Sequence, residues 1–321
     1  MVETPSKIFQ EVKNNKLDID FGIRSLITII ENSYEKDLRF KSLRYLKLLN
    51  KNSLRIFRLL ENLLISDSDE KIRAYCAKYL RNNFITKAFS PMKWAIHYER
   101  DYYAQIEIIR TLAEINTKES KQLLLNELKK LLTQNYVDDQ NRYNNHKFIT
   151  GVKNILKQKK VNELSNNRIA EILINHITIS HFIKRFYFVY FKWENGLIIE
   201  LDLSDLGWNI SKPWEFITSK RLNNLSEIPE LMNLKYLIKL DLSNNNIENI
   251  KELLQFKNLT SLTLKNNQLE DPKNIQYLNE MKNLRYINLK GNKLANKIRR
   301  KDLYRLPHLE RLILKDYLII T

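Results

Sequence analysis

The hydrophobic positions of this 321-residue chain change their spacing near residue 183. Before that point apolar residues recur at intervals of three and four, which is the spacing of one face of an α-helix. After it, short runs alternate apolar and polar residues and end in asparagine-rich turns, which indicates strands. A chain of this length is expected to form more than one domain. The pattern therefore predicts a helical domain over 1–180 and a strand-containing domain over 181–321.

One strand pattern recurs in the second part. Each copy has the spacing LxxLxLxxNxL, and the copies begin 22 and 25 residues apart, at Leu237, Leu259 and Leu284. An asparagine follows the strand in each copy: Asn245, Asn267 and Asn292. The paired apolar residues of each short strand are expected to point inward, and each asparagine amide to bond backbone groups between stacked coils. Weaker copies begin at Ile198 and Leu309.

This spacing resembles that of leucine-rich repeats, and the 22-residue copies are similar to the phosphatase-1 regulator type. The resemblance covers roughly 197–321 and implies an arc of stacked coils with strands on its concave side. The aromatic run KRFYFVYFKW precedes the first copy, and Asn195-Gly196 supplies the positive φ angles of a tight hairpin. We expect this run to form an aromatic strand that pairs antiparallel with the first repeat strand and caps the open sheet.

The helical part also repeats. Equivalent leucines stand 34 and 32 residues apart: Leu46, Leu80 and Leu112. In the middle copy Asp67 precedes the pair Ile72-Arg73 at the spacing of the HEAT signature, so residues 20–134 resemble HEAT repeats, which implies an α-solenoid of stacked helix pairs. The expected pairs are 20–32 with 34–49, 52–65 with 69–83, 85–98 with 100–115, and 117–134 with 147–158. Arg39 and Arg73 are expected to be structural, bonded to neighbouring turns.

Composition narrows the classes of partner. The chain carries 54 basic and 37 acidic residues, a formal net charge of +17, which favours nucleic acid, acidic protein surfaces or anionic lipid. Because the surplus is spread over both halves, drift toward lysine in an AT-rich coding sequence is the competing explanation. No apolar run approaches the roughly 18 to 20 residues of a membrane span. Without a secretory signal at the N-terminus, and with Cys76 as the single cysteine, a cytoplasmic location is expected.

Catalytic motifs are missing from the sequence. Its five glycines stand too far apart for a phosphate-binding loop, a dinucleotide fingerprint or a nucleophile elbow. His176 and His181 are five residues apart, a spacing that does not place them on the same face of a helix. Cys76 is far from both in sequence, so the three residues do not indicate a metal site. We therefore expect neither enzymatic activity nor a metal ion or other cofactor.

Surface residues of the repeats are the remaining candidates. Because strand side chains alternate, the residues beside the inward leucines face the concave side, where equivalent positions form columns. The columns run from Glu200, Asp202 and Asp241 at an acidic N-terminal end to a basic and aromatic C-terminal end. The residues predicted to bind a partner are Lys239, Lys265, Tyr286, Asn288, Lys290, Arg311 and Lys315. A solvated face without a partner is the alternative.

A second basic cluster lies between two strands and contains Lys297, Arg299 and Arg300. It is a candidate anion-binding site, since clustered cations hold phosphates without reading sequence; a solvated helix is the alternative. The leading hypothesis is a non-catalytic scaffold or adaptor that binds a protein partner with an acidic surface on the concave face. The alternatives are a basic nucleic-acid-binding protein and a sensor or regulatory component of a signalling or defence assembly, such as a small-GTPase or NTPase regulator.

Overall fold

The computed structural model describes residues 4–133, 154, 163–186, 189–207, 221–315 and 318–320. Helices occupy the first part of the chain, and a seven-stranded mixed sheet follows. The described residues fall into two compact units. The helical unit takes those within 1–127 and 165–170, and the sheet unit takes those within 128–164 and 171–321.

The helices of the first part alternate with short turns. Their bounds are α1 Pro5–Lys13, α2 Ile19–Asn32, α3 Lys36–Leu49, α4 Leu54–Ser66, α5 Glu70–Phe84, α6 Phe89–Tyr98, α7 Tyr102–Ile115, α8 Lys118–Thr133 and α9 Asn166–Arg185. The seven helices predicted between residues 20 and 134 are confirmed as α2 to α8, whereas α1 was not expected. The helix predicted over 147–158 lies outside the described residues, apart from helical Asn154. α9 runs across the domain boundary predicted between residues 180 and 181.

Side-chain caps begin several of these helices. Asp18, Ser53, Asp69 and Asp101 each accept a hydrogen bond from a backbone N–H of the first turn, which satisfies a donor that has no partner within the helix. The turns are therefore built by local residues, and the apolar faces of the helices form the interior of the helical unit. Its fully buried side chains include Leu26, Leu43, Leu60, Ile72, Leu80 and Leu112.

Arg39 and Arg73 connect successive helix pairs. Arg39 on α3 donates to the carbonyl of Ile30 at 2.9 Å and forms an ion pair with Asp67. Arg73 on α5 donates to the carbonyl of Asp67 at 2.7 Å and to the carboxylate of Glu99 at 2.7 and 3.1 Å. The expectation that both arginines are structural is confirmed.

The strands of the sheet unit lie in chain order. Their bounds are β1 Tyr190–Glu194, β2 Leu197–Asp202, β3 Lys239–Asp241, β4 Ser261–Thr263, β5 Tyr286–Asn288, β6 Arg311–Ile313 and β7 Leu318–Ile320. β2 to β6 pair in parallel, while β1 and β7 pair antiparallel with β2 and β6. The helix α10, Lys273–Glu280, connects β4 to β5. Buried leucines and isoleucines of each strand stand in register, as Leu240, Leu262, Ile287 and Leu312 do.

The predicted aromatic hairpin is confirmed, but its strand is shorter than expected. β1 pairs antiparallel with β2, and the turn uses Asn195 and Gly196 with φ of 50° and 78°. Lys184 and Arg185, which begin the run expected to form the aromatic strand, lie in α9. Phe182 of the same helix stacks on Phe186 with centroids 6.0 Å apart. α9 continues to Arg185 because Ile179, Phe182 and Ile183 keep the helical spacing and are buried. Tyr187 and Phe188 lie outside the described residues.

The repeated asparagines bond the backbone of adjacent coils, as predicted. The buried amide of Asn267 donates to the carbonyls of Leu242 and Leu264, and its oxygen accepts from the N–H of Ile247 at 2.9 Å. Asn245 and Asn292 make equivalent bonds. Each buried amide thus satisfies backbone groups that a short strand leaves unpaired. This holds successive strands at a fixed spacing and so places their outward side chains.

Candidate functional site

The strand face consists of the outward side chains of β2 to β6 and of the turn residues that follow each strand. The parallel register confirms the expected columns: Glu200 pairs with Lys239, Lys239 with Ser261, Ser261 with Tyr286, and Tyr286 with Arg311. Asp202, Asp241, Thr263, Asn288 and Ile313 form the next column in the same way. Residues far apart in sequence therefore lie side by side on one surface.

The C-terminal end of the strand face carries what we call the basic-aromatic patch, formed by Lys265, Tyr286, Lys290, Arg311 and Lys315. The Arg311 guanidinium carbon lies 5.6 Å from the centroid of the Tyr286 ring, a cation-π arrangement. Arg311 and Lys315 are exposed, and Tyr286 is half-buried. Lys265, Arg311 and Lys315 form no ion pair with a carboxylate in the described part of the chain. The patch therefore presents positive charge around a planar ring.

A cleft of about 420 Å³ opens beside this patch. Its lining includes Lys290, Gly291, Lys293, Asn296 and Lys315, from the turns that follow β5 and β6. Lys293 is paired with Glu270 at 2.8 Å. The cleft has the volume of a small-molecule site, and its polar lining suits an acidic side chain better than an apolar group.

The N-terminal end of the strand face has the opposite sign. Glu200 accepts from Lys192 of β1 and Lys239 of β3, each at 2.9 Å. Burial by itself would raise the pKa of Glu200, but these two hydrogen bonds outweigh it and lower the pKa. Burial, together with the charges of Asp202 and Asp205, raises the pKa of Asp241 despite its hydrogen bonds from Ser243. Carboxylates thus lie close together here. Among the described residues, Glu200 is neutralised by two lysines, and Asp205 lies 3.9 Å from Arg221.

Some of the predicted binding residues, Lys239 and Asn288 among them, have partners within the protein. Lys239 is held by Glu200. The amide oxygen of Asn288 accepts from the N–H of Lys290 at 3.1 Å and so shapes the turn after β5. Sequence reasoning overlooked the pairing of Lys239, although the column already placed Glu200 beside it. It could not have anticipated Lys192, since the register of the hairpin decides which β1 residue reaches Glu200.

The candidate anion-binding residues Lys297, Arg299 and Arg300 also have roles within the fold. Lys297 lies 3.4 Å from the carboxylate of Glu270. Arg300 donates to the carbonyl of Leu309 at 3.0 Å, and the backbone N–H of Arg299 donates to Asp302 at 2.7 Å. Because two of the three side chains are engaged, this cluster offers less available charge than the basic-aromatic patch.

The Cys76 thiol and the His176 imidazole are both buried. Burial raises the pKa of the Cys76 thiol, which keeps it protonated and unreactive. Burial lowers the pKa of His176 to about 4. In the ranges that the structure describes, no group of three or more histidine, cysteine, aspartate and glutamate side chains is placed to hold a metal ion. The same residues include no helix with the length and apolar character needed to cross a membrane.

No protein-family model matches this chain, and no curated protein matches it either.

Proposed function

We propose that this protein is a non-catalytic, cytoplasmic scaffold or adaptor that binds an acidic protein surface on its strand face. In this proposal the helix pairs form a HEAT-like α-solenoid, and the sheet unit is a short leucine-rich-repeat arc with an aromatic strand cap. Support for the repeats comes from the 34- and 32-residue spacing of the helices, from the arginine ion pairs between successive helix pairs, and from the asparagines bonded between coils.

The observation that carries the proposal is the pairing of Tyr286 with Arg311 in the middle of the basic-aromatic patch. Tyrosine and arginine are enriched in interface hot spots, where a ring and a planar guanidinium fill a pocket of the partner. A surface that only faces water has no need of this pair. The lysines around it would attract an acidic surface and raise the association rate.

The acidic end of the strand face would fix the orientation of a bound partner. An acidic partner is attracted to the basic-aromatic patch and repelled by Asp202 and Asp241, so it has one favoured orientation along the sheet. Repulsion of this kind separates the correct orientation from the reversed one. The partner surface that fits best is therefore acidic where it meets Lys265, Lys290 and Lys315, and neutral or basic at its other end.

The test begins with affinity capture from the native cell at two salt concentrations, followed by mass spectrometry. Binding of the captured protein is then measured with purified variants. We expect Tyr286→Ala and Arg311→Ala each to cost about 2 kcal/mol, or about thirtyfold in affinity. Reversal of Lys265, Lys290 and Lys315 to glutamate should lower the association rate, most strongly at low salt.

The matched control reverses three exposed lysines that lie off the strand face: Lys235, Lys251 and Lys257. It changes the net charge by the same amount. If this control lost as much affinity as the reversal of Lys265, Lys290 and Lys315, binding would depend on the net charge of the protein and not on the strand face. The nucleic-acid hypothesis would then replace the present one.

A further inference from the structure

Cations occupy repeated positions on the helical unit. The 34- and 32-residue spacing makes Arg44 on α3, Lys78 on α5 and Arg110 on α7 equivalent. By the same spacing Lys47 on α3 is equivalent to Arg81 on α5. α3 packs against α2, and α5 packs against both α4 and α7. These helices therefore carry a repeated row of positive charge, in which Arg44 and Lys78 are exposed and Lys47, Arg81 and Arg110 are partly buried.

Carboxylates neutralise this row at α5 and α7. Glu107 on α7 pairs with Arg81 at 2.8 Å and with Arg110 at 2.8 Å. The position equivalent to Glu107, 32 residues earlier on α5, is occupied by Tyr75. That position therefore supplies no carboxylate to Arg44 or Lys78, as Glu107 supplies one to Arg81 and Arg110.

We define the cation cluster as Arg44, Lys47 and Lys78. None of the three forms an ion pair with a residue that the structure describes. The Lys47 ammonium lies 5.9 Å from the ring centroids of both Tyr75 and Tyr79. Burial, with the nearby charges of Lys78 and Arg81, lowers the pKa of Lys47, and the charge of Glu107 offsets this only in part. Like charges held this close repel one another, and a bound anion would relieve the repulsion.

The surface around the cation cluster is charged and exposes little apolar area. Tyr79 is fully buried, and Tyr75 packs edge-on against Phe40, with centroids 5.1 Å apart, beneath Lys47. Along their whole described length α3 and α5 expose a single large apolar side chain, Leu48. The core of a protein interface is depleted of charged residues and rich in aromatic ones, which does not describe this surface. Phosphate groups are recognised by charge alone.

We propose that the cation cluster binds the phosphodiester backbone of a nucleic-acid strand, without reading its bases. Arg44, Lys47 and Lys78 contact phosphate oxygens of the strand, and Tyr75 supplies the surface against which Lys47 is held. This site lies in the helical unit and is independent of the strand face.

The test uses the full chain and a fluorescein-labelled single-stranded oligonucleotide of about twenty residues, with binding measured by fluorescence anisotropy at several salt concentrations. The cluster variant is Arg44→Gln, Lys47→Gln, Lys78→Gln. The control variant is Arg55→Gln, Arg58→Gln, Lys93→Gln, which alters exposed cations of α4 and α6 that have no ion pair with described residues. Both variants reduce the formal net charge of +17 by three.

Each phosphate contact with a single strand contributes about 0.7 to the magnitude of the slope of log affinity against log salt. Loss of three contacts should therefore reduce the magnitude of this slope by about 2. Between about 50 and 200 mM salt the wild type should then lose about sixteenfold more affinity than the cluster variant. The control variant should keep the wild-type slope. Equal changes in the two variants would overturn the proposal, as would a wild type that does not bind the oligonucleotide at about 50 mM salt.

Two further measurements keep the result interpretable. Arg44 and Lys78 are exposed, so the single variants Arg44→Gln and Lys78→Gln should fold normally and should each reduce the slope by about 0.7. Poly-glutamate is the competing anion: if it bound as tightly as the oligonucleotide and with the same dependence on the cluster, the site would belong to an acidic polypeptide instead. Reversal of Lys265, Lys290 and Lys315 should leave oligonucleotide binding dependent on the cluster, which separates this proposal from the one for the strand face.

Discussion

The Nε of Arg73 donates to the carboxylate of Glu99 across 2.7 Å, and a second guanidinium N–H reaches the other carboxylate oxygen at 3.1 Å. Arg73 stands on α5, and Glu99 lies in the turn between α6 and α7. The backbone N–H groups of Arg100 and Asp101 also donate to this carboxylate, each at 2.8 Å. The buried carboxylate of Glu99 thus holds the turn between α6 and α7 and joins that turn to α5.

Removal of the arginine should therefore destabilise the helical unit. Arg73→Met leaves the Glu99 charge buried without its cation, and the expected loss is about 3 to 5 kcal/mol in the free energy of unfolding. Urea denaturation followed by circular dichroism measures this change. The control is Lys71→Met on the same helix, where an exposed side chain should change stability by less than about 0.5 kcal/mol. A loss in Arg73→Met as small as that of the control would contradict the prediction.

Glu99 should also make stability depend on pH. Burial by itself would raise the pKa of Glu99, but hydrogen bonds from Arg73 and from the N–H groups of Asp101 and Arg100 outweigh it and lower the pKa. A depressed pKa in the folded state gives stability that is complete above the unfolded pKa, about 4.3, and is lost as the pH falls through the folded value.

The free energy of unfolding should therefore fall more steeply for the wild type than for Glu99→Gln as the pH drops from about 5 to 3. Glu99→Gln should be less stable at neutral pH, and the two proteins should converge in acid. Urea titrations at intervals across this range give both curves. Parallel curves would show that Glu99 does not carry the effect.

Asn267 should be essential to the sheet unit. Asn267→Ala leaves the N–H of Ile247 and the carbonyls of Leu242 and Leu264 without the side-chain partner that they now have. An unsatisfied buried polar group costs about 1 to 3 kcal/mol, so we expect a loss of at least about 2 kcal/mol. The exposed neighbour provides the control, since Gln268→Ala should change stability by less than about 0.5 kcal/mol. If Asn267→Ala and Gln268→Ala lowered the midpoint of thermal unfolding by the same amount, Asn267 would not have this role.

Gly291 should resist substitution for two separate reasons. Its φ is +80°, and a Cβ at this position would lie 2.1 Å from the amide oxygen of Asn266. Gly291→Ala should lose about 1 kcal/mol or more from the left-handed backbone, and a further amount from the collision. Asn266→Gly removes the side chain that the new Cβ would meet, but it leaves the Asn266 Cα at 3.2 Å and the left-handed backbone at residue 291. The double variant Gly291→Ala, Asn266→Gly should therefore recover part of the lost stability. Full additivity of the two single changes would show that the side chains do not interact.

Cys76 should report opening of the helical unit. It is the single cysteine of the chain and is fully buried, and burial raises the pKa of its thiol. Reaction with a thiol reagent should then be more than about a thousandfold slower in the native protein than in urea, as a stability of about 5 kcal/mol requires. Arg73→Met should accelerate the native reaction. A fast native reaction would place the thiol at the surface.

Local patterns were enough to predict most elements of this fold. The three-and-four spacing of apolar residues located α2 to α8, because a helix in a packed array must bury one face. The leucine spacing and the asparagines at 245, 267 and 292 predicted the columns of the strand face, because parallel strands of equal repeats keep a constant register. The hairpin at Asn195 and Gly196 followed from the backbone angles that those two residues tolerate.

Long-range neighbours decided the rest. β7 closes the second edge of the sheet through its pairing with β6, and α9 extends to Arg185 because Phe182 and Ile183 find a buried environment. Glu200 holds Lys239, whereas Lys265 and Arg311, predicted alongside Lys239, pair with no carboxylate of the described residues. Arg44, Lys47 and Lys78 form a cluster only when α3 lies beside α5. Hydrophobic periodicity specifies which face of an element is buried, but the charge left for a partner depends on which side chains the fold brings within a few ångströms of one another.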